Sequence, residues 1–377
     1  MSGDFEVAVV GAGVVGSGCA LALARRGVAV ALLEAEAEPG LQASGTNSGI
    51  LHTGFDSAFG ELETDLILRA ASLRDPVLET LAVPVVRCGA EMAPRDTGDA
   101  ASIAAIAANA RGNGVAVALR DDGVLEVPGE SVTDPVAYTL ALCVAAQRHR
   151  ARLFTGFGVT RIEHGRGSMR VTAASGEAVS ARVVVNGAGI GAGAVARMLG
   201  DDSFDVYPRK GEFLVFDPPT DGILERILLP VPTPRTKGVL VFPTVDGRIV
   251  AGPTAVDLDR PDWSVRPEAR EEILPKASRM HPPLADAEPV FAYAGLRPAG
   301  RAVNYVIARS RAEPALVNVA AIRSTGLTAS LAIAERVVSL VAAAGVPMSS
   351  PEALAPGPPP AAEGEPWWRR SADRLAV

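Results

Sequence analysis

The pattern of apolar and polar positions is clearest at the start of the chain. Phe5 to Val10 is an apolar run with the valine content of a strand buried on both faces. A helical stretch follows to about Arg26, with Ala20, Leu21 and Ala24 on its apolar face and Gly27 placed to cap it. Val28 to Leu33 reads as a second strand, ending on Glu34. Further helices are predicted over Glu61–Leu81, over the alanine-rich Ala100–Ala110, and over Asp134–His149, where Thr133 or Asp134 caps and Pro135 takes the first position. Gly158–His164, Met169–Ala174 and Ala178–Arg182 form a meander that leads into the strand Val183–Val185 and a helix to about Leu199. Short apolar pieces among prolines from Val206 to Ala255 predict an antiparallel sheet, with Val245-Asp246-Gly247-Arg248 as a hairpin turn. Pro267–Met280 reads as a helix, and Phe291–Gly300 as a segment returning to the first domain. The apolar strand Ala315–Ile322 and a helix from Thr328 to about Ala344 follow.

Between the first strand and its helix stand Gly11, Gly13 and Gly16, spaced G-x-G-x-x-G. The first glycine permits the tight turn, the second lets a pyrophosphate approach the backbone, and the third lets helix and sheet pack closely. The helix N-terminus offers unpaired N–H groups to phosphate. Glu34 stands where an acid holds an adenosine ribose hydroxyl, and its charge disfavours a 2′-phosphate, so NADP is the poorest candidate. These elements establish a dinucleotide site and leave FAD and NAD both open. Residues 40–60, GLQASGTNSGILHTGFDSAFG, are too rich in small polar residues for a regular element. The apolar Ile50, Leu51 and Phe55 within them suggest backbone wrapped around the rest of a cofactor.

Composition narrows the class. The 377 residues are 48% hydrophobic, which fits a globular protein of two or three domains. A net charge of −7 argues against a nucleic-acid binder. Cys19, Cys88 and Cys143 are widely spaced, without C-x-x-C, and fit buried thiols better than disulfides or a metal cluster; no metal is expected. The first strand leaves no room for a signal peptide, and the most apolar stretch, 328–346, is broken by Glu335 and Arg336. A cytoplasmic protein without a transmembrane segment is expected. Trp367, Trp368, Arg369 and Arg370 stand out in the Pro-rich tail. The preferred reading is a tail lying on its own surface through two aromatics; the sharper alternative is a docking point for a partner or for peripheral association with a membrane.

Taken in order, VVGAGVVG, SGTNSGILHTG, VVNGAG, PRKGEF, KGVLVFPTVDG, AGLRP and IRSTGLTASLAIAE make the sequence resemble the FAD-dependent oxidoreductases of the D-amino-acid-oxidase superfamily. Closest in look is the branch of FAD-linked glycerol-3-phosphate and L-2-hydroxyglutarate dehydrogenases. The resemblance decides FAD over NAD. It implies an α/β fold: a Rossmann-like FAD-binding domain made of 1–80, 135–205 and 290–346, with an α+β substrate domain of mixed or antiparallel sheet from 81–134 and 206–289. The tail, 347–377, is not covered. It further implies FAD held by Gly11, Gly13, Gly16 and Glu34, with Ser44, Thr46, Asn47 and Ser48 near the pyrophosphate or flavin. The resemblance also implies that Val159 meets the adenine through its backbone, that Gly187 and Gly189 fall where the second turn meets the cofactor, and that Gly326 and Leu327 match the helix start beside the flavin ring. Unlike the anaerobic glycerol-3-phosphate enzymes, this chain has no cysteine in its tail, which argues against electron exit through a metal cluster.

Oxidation of a secondary alcohol by hydride transfer to flavin N5 needs a base for the hydroxyl proton and stabilisation of developing charge. His52, inside a family motif, is the candidate base; His149, His164 and His281 are read as structural. Arg297 in AGLRP is the candidate clamp for a carboxylate or phosphate, with a domain-joining salt bridge as its alternative. Lys210 and Arg323 are further candidates for the substrate, and Lys237 reads as solvated surface. The expected substrate is a small anionic secondary alcohol, glycerol 3-phosphate or an L-2-hydroxy acid such as L-2-hydroxyglutarate. Amine or amino-acid oxidation and a non-catalytic flavin-binding redox sensor are the alternatives. Oxygen, a quinone and a soluble carrier all stay open as electron acceptors.

Overall fold

The computed structural model describes residues 4–165, 167–220, 223–232, 238–357 and 365–370. Among these, the helices are α1 (Val14–Ala24), α2 (Leu62–Thr80), α3 (Asp99–Gly112), α4 (Pro135–Arg148), α5 (Ala192–Arg197), α6 (Glu268–Met280) and α7 (Gly326–Ala343). Two large sheets carry the architecture.

The first sheet is built on Asp4–Val10, which pairs in parallel with Val30–Leu33 on one side and Ala178–Asn186 on the other. Arg152–Phe154 and Leu316–Ala320 extend it in parallel, and Val159–His164 with Met169–Ala173 form an antiparallel meander at one edge. Its valine-rich strands are buried on both faces. One face packs with α1, α4 and α7, the other with the meander and α5. The turn after the first strand needs its glycines for backbone reasons. Gly11 sits at φ +95°, and a Cβ on Gly16 would overlap the Gly11 carbonyl oxygen. Asp134 caps α4 by accepting the Val136 and Ala137 N–H groups, each at 2.8 Å, with Pro135 at the first position.

The second sheet centres on two long antiparallel strands, Val206–Phe216 and Phe291–Gly300, paired from Val206↔Gly300 to Val215↔Phe291. The hairpin of Leu240–Pro243 and Ile249–Gly252 turns at Val245-Asp246-Gly247-Arg248 and lies alongside. One face covers α6 and the other packs toward α3. This corrects the boundary expected at 290: Phe291–Gly300 belongs to the second sheet, and the chain rejoins the first only at Val306–Arg309 and Leu316–Ala320. A small sheet of Ile50–Leu51, Ser131–Thr133 and Val85–Val86 ties the 40–60 loop to the rest.

By length and composition α7 could cross a membrane, with a mean hydropathy of 1.5 over its 18 residues. It is instead a core helix packed against α1 and α2, and Glu335 on its outer side pairs with Arg69. The tail aromatics do more than lie on the surface. Trp367 and Trp368 are buried in the second domain's core, where Trp367 meets Tyr293 edge to face at 5.6 Å and Trp368 donates to Asp246 at 3.1 Å. Arg370 pairs with Glu38 of the first domain. Both indoles are thereby occupied within the chain rather than presented to a membrane. The three cysteines are free thiols, and burial pushes Cys19 up to about 12 and Cys143 to about 11.

Candidate active site

The 40–60 loop brings three separate parts of the fold together. Its Ser44 hydroxyl accepts the Val14 N–H at the start of α1, at 3.0 Å. Its Asn47 side chain donates to the Ser324 carbonyl ahead of α7, at 3.1 Å, and accepts the Gly49 N–H. Its Thr46 packs so tightly against the strand Phe291–Gly300 that a Cβ on Gly295 would lie 2.7 Å from the Thr46 carbonyl oxygen. The Ser48 hydroxyl accepts the Ile50 N–H at 3.4 Å. Small side chains are needed here because backbone approaches backbone.

His52 follows at the end of this loop. Its main-chain N–H donates to Thr328 Oγ1 in the first turn of α7, at 3.0 Å, and its carbonyl accepts from Arg74 of α2, at 3.0 Å. Its ring Nδ1 lies 2.9 Å from Oε2 of Glu130, a fully buried carboxylate. The imidazole itself stays 25% exposed, so one edge of the ring is accessible.

Arg297 lies two residues beyond Gly295 and, by the alternation of a strand, on the same face. Its guanidinium donates to the Thr254 carbonyl at 3.2 Å, and no carboxylate among the described residues pairs with it. Burial, then the like charge of Arg209, push it down to about 10, with Asp257 opposing. Gly211 on the neighbouring strand leaves room for this guanidinium, which a Cβ there would overlap.

Two residues expected at the substrate are placed elsewhere. Lys210 neighbours Arg209, the cross-strand partner of Arg297, so its side chain points to the opposite face of the sheet. There its ammonium is buried against Asp262 at 2.5 Å and the Ser264 carbonyl at 2.9 Å, which removes it from the substrate set. Arg323 stands just before α7 but is largely exposed and tied to Glu63 at 2.8 Å. Lys237 lies outside the described residues.

The residues expected at the nucleotide are placed as follows. Glu34 is buried. Its carboxylate accepts the Ala12 N–H at 2.7 Å and the Glu36 N–H at 3.0 Å. Burial pushes its carboxyl up, and those backbone donors oppose the shift. Val159 opens the neighbouring meander strand. Gly187 donates to the Val10 carbonyl at 2.9 Å, so the second glycine turn abuts the first, and Gly189 begins a short 3₁₀ turn ahead of α5. Gly326 and Leu327 form the buried first turn of α7.

These residues fit an FAD. Neither first turn of α1 or α7 carries an acid, Thr325 makes no side-chain cap hydrogen bond at α7, and at α1 the cap is Gly13 with Ser44 accepting the Val14 N–H, so both N-termini suit anionic groups. Gly11, Gly13, Gly16, Glu34 and Ser44 would hold the dinucleotide, and the α7 start the electron-poor ring.

Four participants were not legible in the sequence. Glu130 is distant in sequence from His52, in a turn with no motif of its own, and only the fold pairs them. Arg74 is a helical arginine like any other until α2 packs beneath His52. Thr328 sits one residue past the pair expected at the α7 start. Glu63 accepts from Thr325 at 2.5 Å, Asn304 at 2.6 Å and Arg323 at 2.8 Å. Burial acts to raise the Glu63 carboxyl, but these three donors together hold it below the usual range.

The chain is 28% identical over 354 residues to a glycerol 3-phosphate dehydrogenase of Caloramator mitchellensis, covering 89% of this chain and 74% of that protein. It is 22% identical over 270 residues to an L-2-hydroxyglutarate dehydrogenase of Escherichia coli, covering 67% and 64%. Its fold matches an FAD-bound L-alpha-glycerophosphate oxidase of Mycoplasma pneumoniae with a TM-score of 0.87 at 23% identity, over 94% of this chain and 98% of that one. A family model described as FAD dependent oxidoreductase (DAO) matches residues 6–340, and the chain belongs to that family.

Proposed function

We propose that this oxidoreductase converts a small anionic secondary alcohol to its ketone, with glycerol 3-phosphate the leading substrate and L-2-hydroxyglutarate next. The observation that carries this reading is Arg297, a guanidinium packed over Gly211 with the Thr254 carbonyl as its hydrogen-bond partner and no paired carboxylate among the described residues. A partly buried cation with no paired carboxylate among the described residues is suited to an incoming phosphate or carboxylate, which it can grip through two parallel hydrogen bonds. Relatives named for glycerol 3-phosphate and L-2-hydroxyglutarate support an anionic alcohol over an amine.

Bound FAD supplies the acceptor for the two electrons and the hydrogen that leave the carbinol carbon. The chain does the rest. Arg297 fixes the anionic end, and His52, anchored through Thr328 and Arg74, takes the hydroxyl proton as general base. The unpaired N–H groups at the start of α7 favour negative charge developing nearby.

The test is anaerobic mixing of FAD-loaded protein with glycerol 3-phosphate, L-2-hydroxyglutarate, other 2-hydroxy acids and amino acids, followed by the loss of flavin colour. Bleaching by an anionic alcohol supports the proposal. Bleaching by amino acids alone overturns it, and no bleaching by any of them indicates a flavin-binding sensor. Re-oxidation with oxygen, a quinone analogue or a soluble carrier then identifies the acceptor class.

A further inference from the structure

We propose that Glu130 is the positioning residue for His52, fixing the ring's orientation and setting which ring nitrogen is the base. The inference rests on the reading of His52 as base and adds a residue to it.

The two carboxylate oxygens of Glu130 have separate partners. Oε1 accepts the Thr53 N–H at 2.6 Å and the Thr53 hydroxyl at 2.8 Å, which fixes the loop. Oε2 faces His52 Nδ1 at 2.9 Å. An ionised carboxylate only accepts, so Nδ1 must carry the hydrogen, and in the neutral ring the lone pair then sits on Nε2. Nε2 has no protein partner among the described residues, and the ring's exposure gives it a way out to substrate. The Arg74 guanidinium, whose hydrogen bond holds the His52 carbonyl, also lies within electrostatic reach of Glu130. Among the described residues, the charged groups in contact with His52 are Glu130 ahead of the strand Ser131–Thr133 and Arg74 on α2, while α7 contributes the uncharged Thr328.

In the reaction, Nε2 would take the hydroxyl proton and become an imidazolium, and FAD, when bound, would supply the acceptor for the hydride that leaves the carbinol carbon to give the ketone. The imidazolium is stabilised by Glu130 at 2.9 Å. A carboxylate used only to hold the loop would need Oε1 alone.

The test compares Glu130→Gln, Thr53→Val and His52→Asn. For each FAD-loaded protein, anaerobic flavin reduction by glycerol 3-phosphate and L-2-hydroxyglutarate is followed across pH, with FAD content as the folding control. Glutamine keeps the size but removes the charge. The plateau rate should fall about 100-fold or more. The acidic limb should move down, because loss of an adjacent anion favours the neutral imidazole. Thr53→Val, which loses the hydroxyl contact to Glu130 Oε1 but keeps the Thr53 N–H contact and the Oε2–Nδ1 pair, should leave that limb in place. An unmoved limb in Glu130→Gln, or the same change in Thr53→Val, overturns the proposal. Normal reduction by His52→Asn instead removes the base reading itself, so the two failures are distinguishable. A second measurement needs neither substrate nor a folded Glu130 variant: nitrogen NMR of the holoenzyme, with His52 assigned by its loss in His52→Asn. A neutral ring protonated on Nδ1 supports the assignment, and one protonated on Nε2 refutes it.

Discussion

Replacing Arg297 with methionine separates a residue built for binding from one built for stability. Burial pushes the guanidinium down to about 10, so the fold disfavours its charged form. Discounted for partial solvent access, that penalty is about 1–2 kcal/mol. Because the folded pKa is depressed, this penalty is fully present at neutral pH and is relieved only as pH rises through about 10. Methionine removes it, fills a similar length, and leaves the Thr254 carbonyl without its donor, a loss of about 1 kcal/mol. The FAD-free variant should therefore match the parent within about 1 kcal/mol in urea denaturation, or be slightly more stable. Substrate affinity should fall about 100-fold, the loss of a two-pronged charged contact worth roughly 3 kcal/mol. Apparent affinity comes from the concentration dependence of anaerobic flavin reduction. A variant destabilised by more than about 2 kcal/mol with unchanged substrate affinity would refute the reasoning and make Arg297 a structural ion-pair residue.

Three further perturbations follow from the packing. Gly211→Ala sets a methyl group into the Arg297 guanidinium and 2.9 Å from Pro253 Cβ, so substrate affinity should drop about tenfold while FAD content holds; steady-state KM checks it. Glu34→Ala leaves the Ala12 and Glu36 N–H groups without their acceptor and removes the proposed ribose contact, and equilibrium dialysis should show FAD held about tenfold or more weakly. Trp367→Ala empties a buried site beside Tyr293 and should cost about 3–5 kcal/mol in urea denaturation. An unchanged unfolding midpoint there would show that the tail aromatics add nothing to the core.

What could be read from the sequence was mostly local. The first strand, its glycine turn and α1 follow from a hydrophobic run and three spaced glycines, and the start of α4 from an aspartate followed by proline. The hairpin around Asp246 and Gly247 is equally local. Long-range pairing was not legible. Phe291–Gly300 carries no mark of its partner Val206–Phe216, so its sheet was misassigned. Lys210 looked like a substrate lysine because PRKGEF does not say which face each residue takes, and a shift of one position sends it to Asp262. Glu130 was missed because a carboxylate in a turn is ordinary until the fold sets it against His52. The tail indoles illustrate the same limit, since a Pro-rich stretch gives no hint that Trp367 ends beside Tyr293.

The central claim is that His52 and Arg297 together commit this flavoenzyme to anionic secondary alcohols. Anaerobic addition of glycerol 3-phosphate to the FAD-loaded protein tests it most directly, with L-2-hydroxyglutarate as the second arm. The account predicts stoichiometric bleaching by at least one of them and formation of the matching ketone. A flavin that stays yellow with both, yet bleaches with an amino acid, would contradict it.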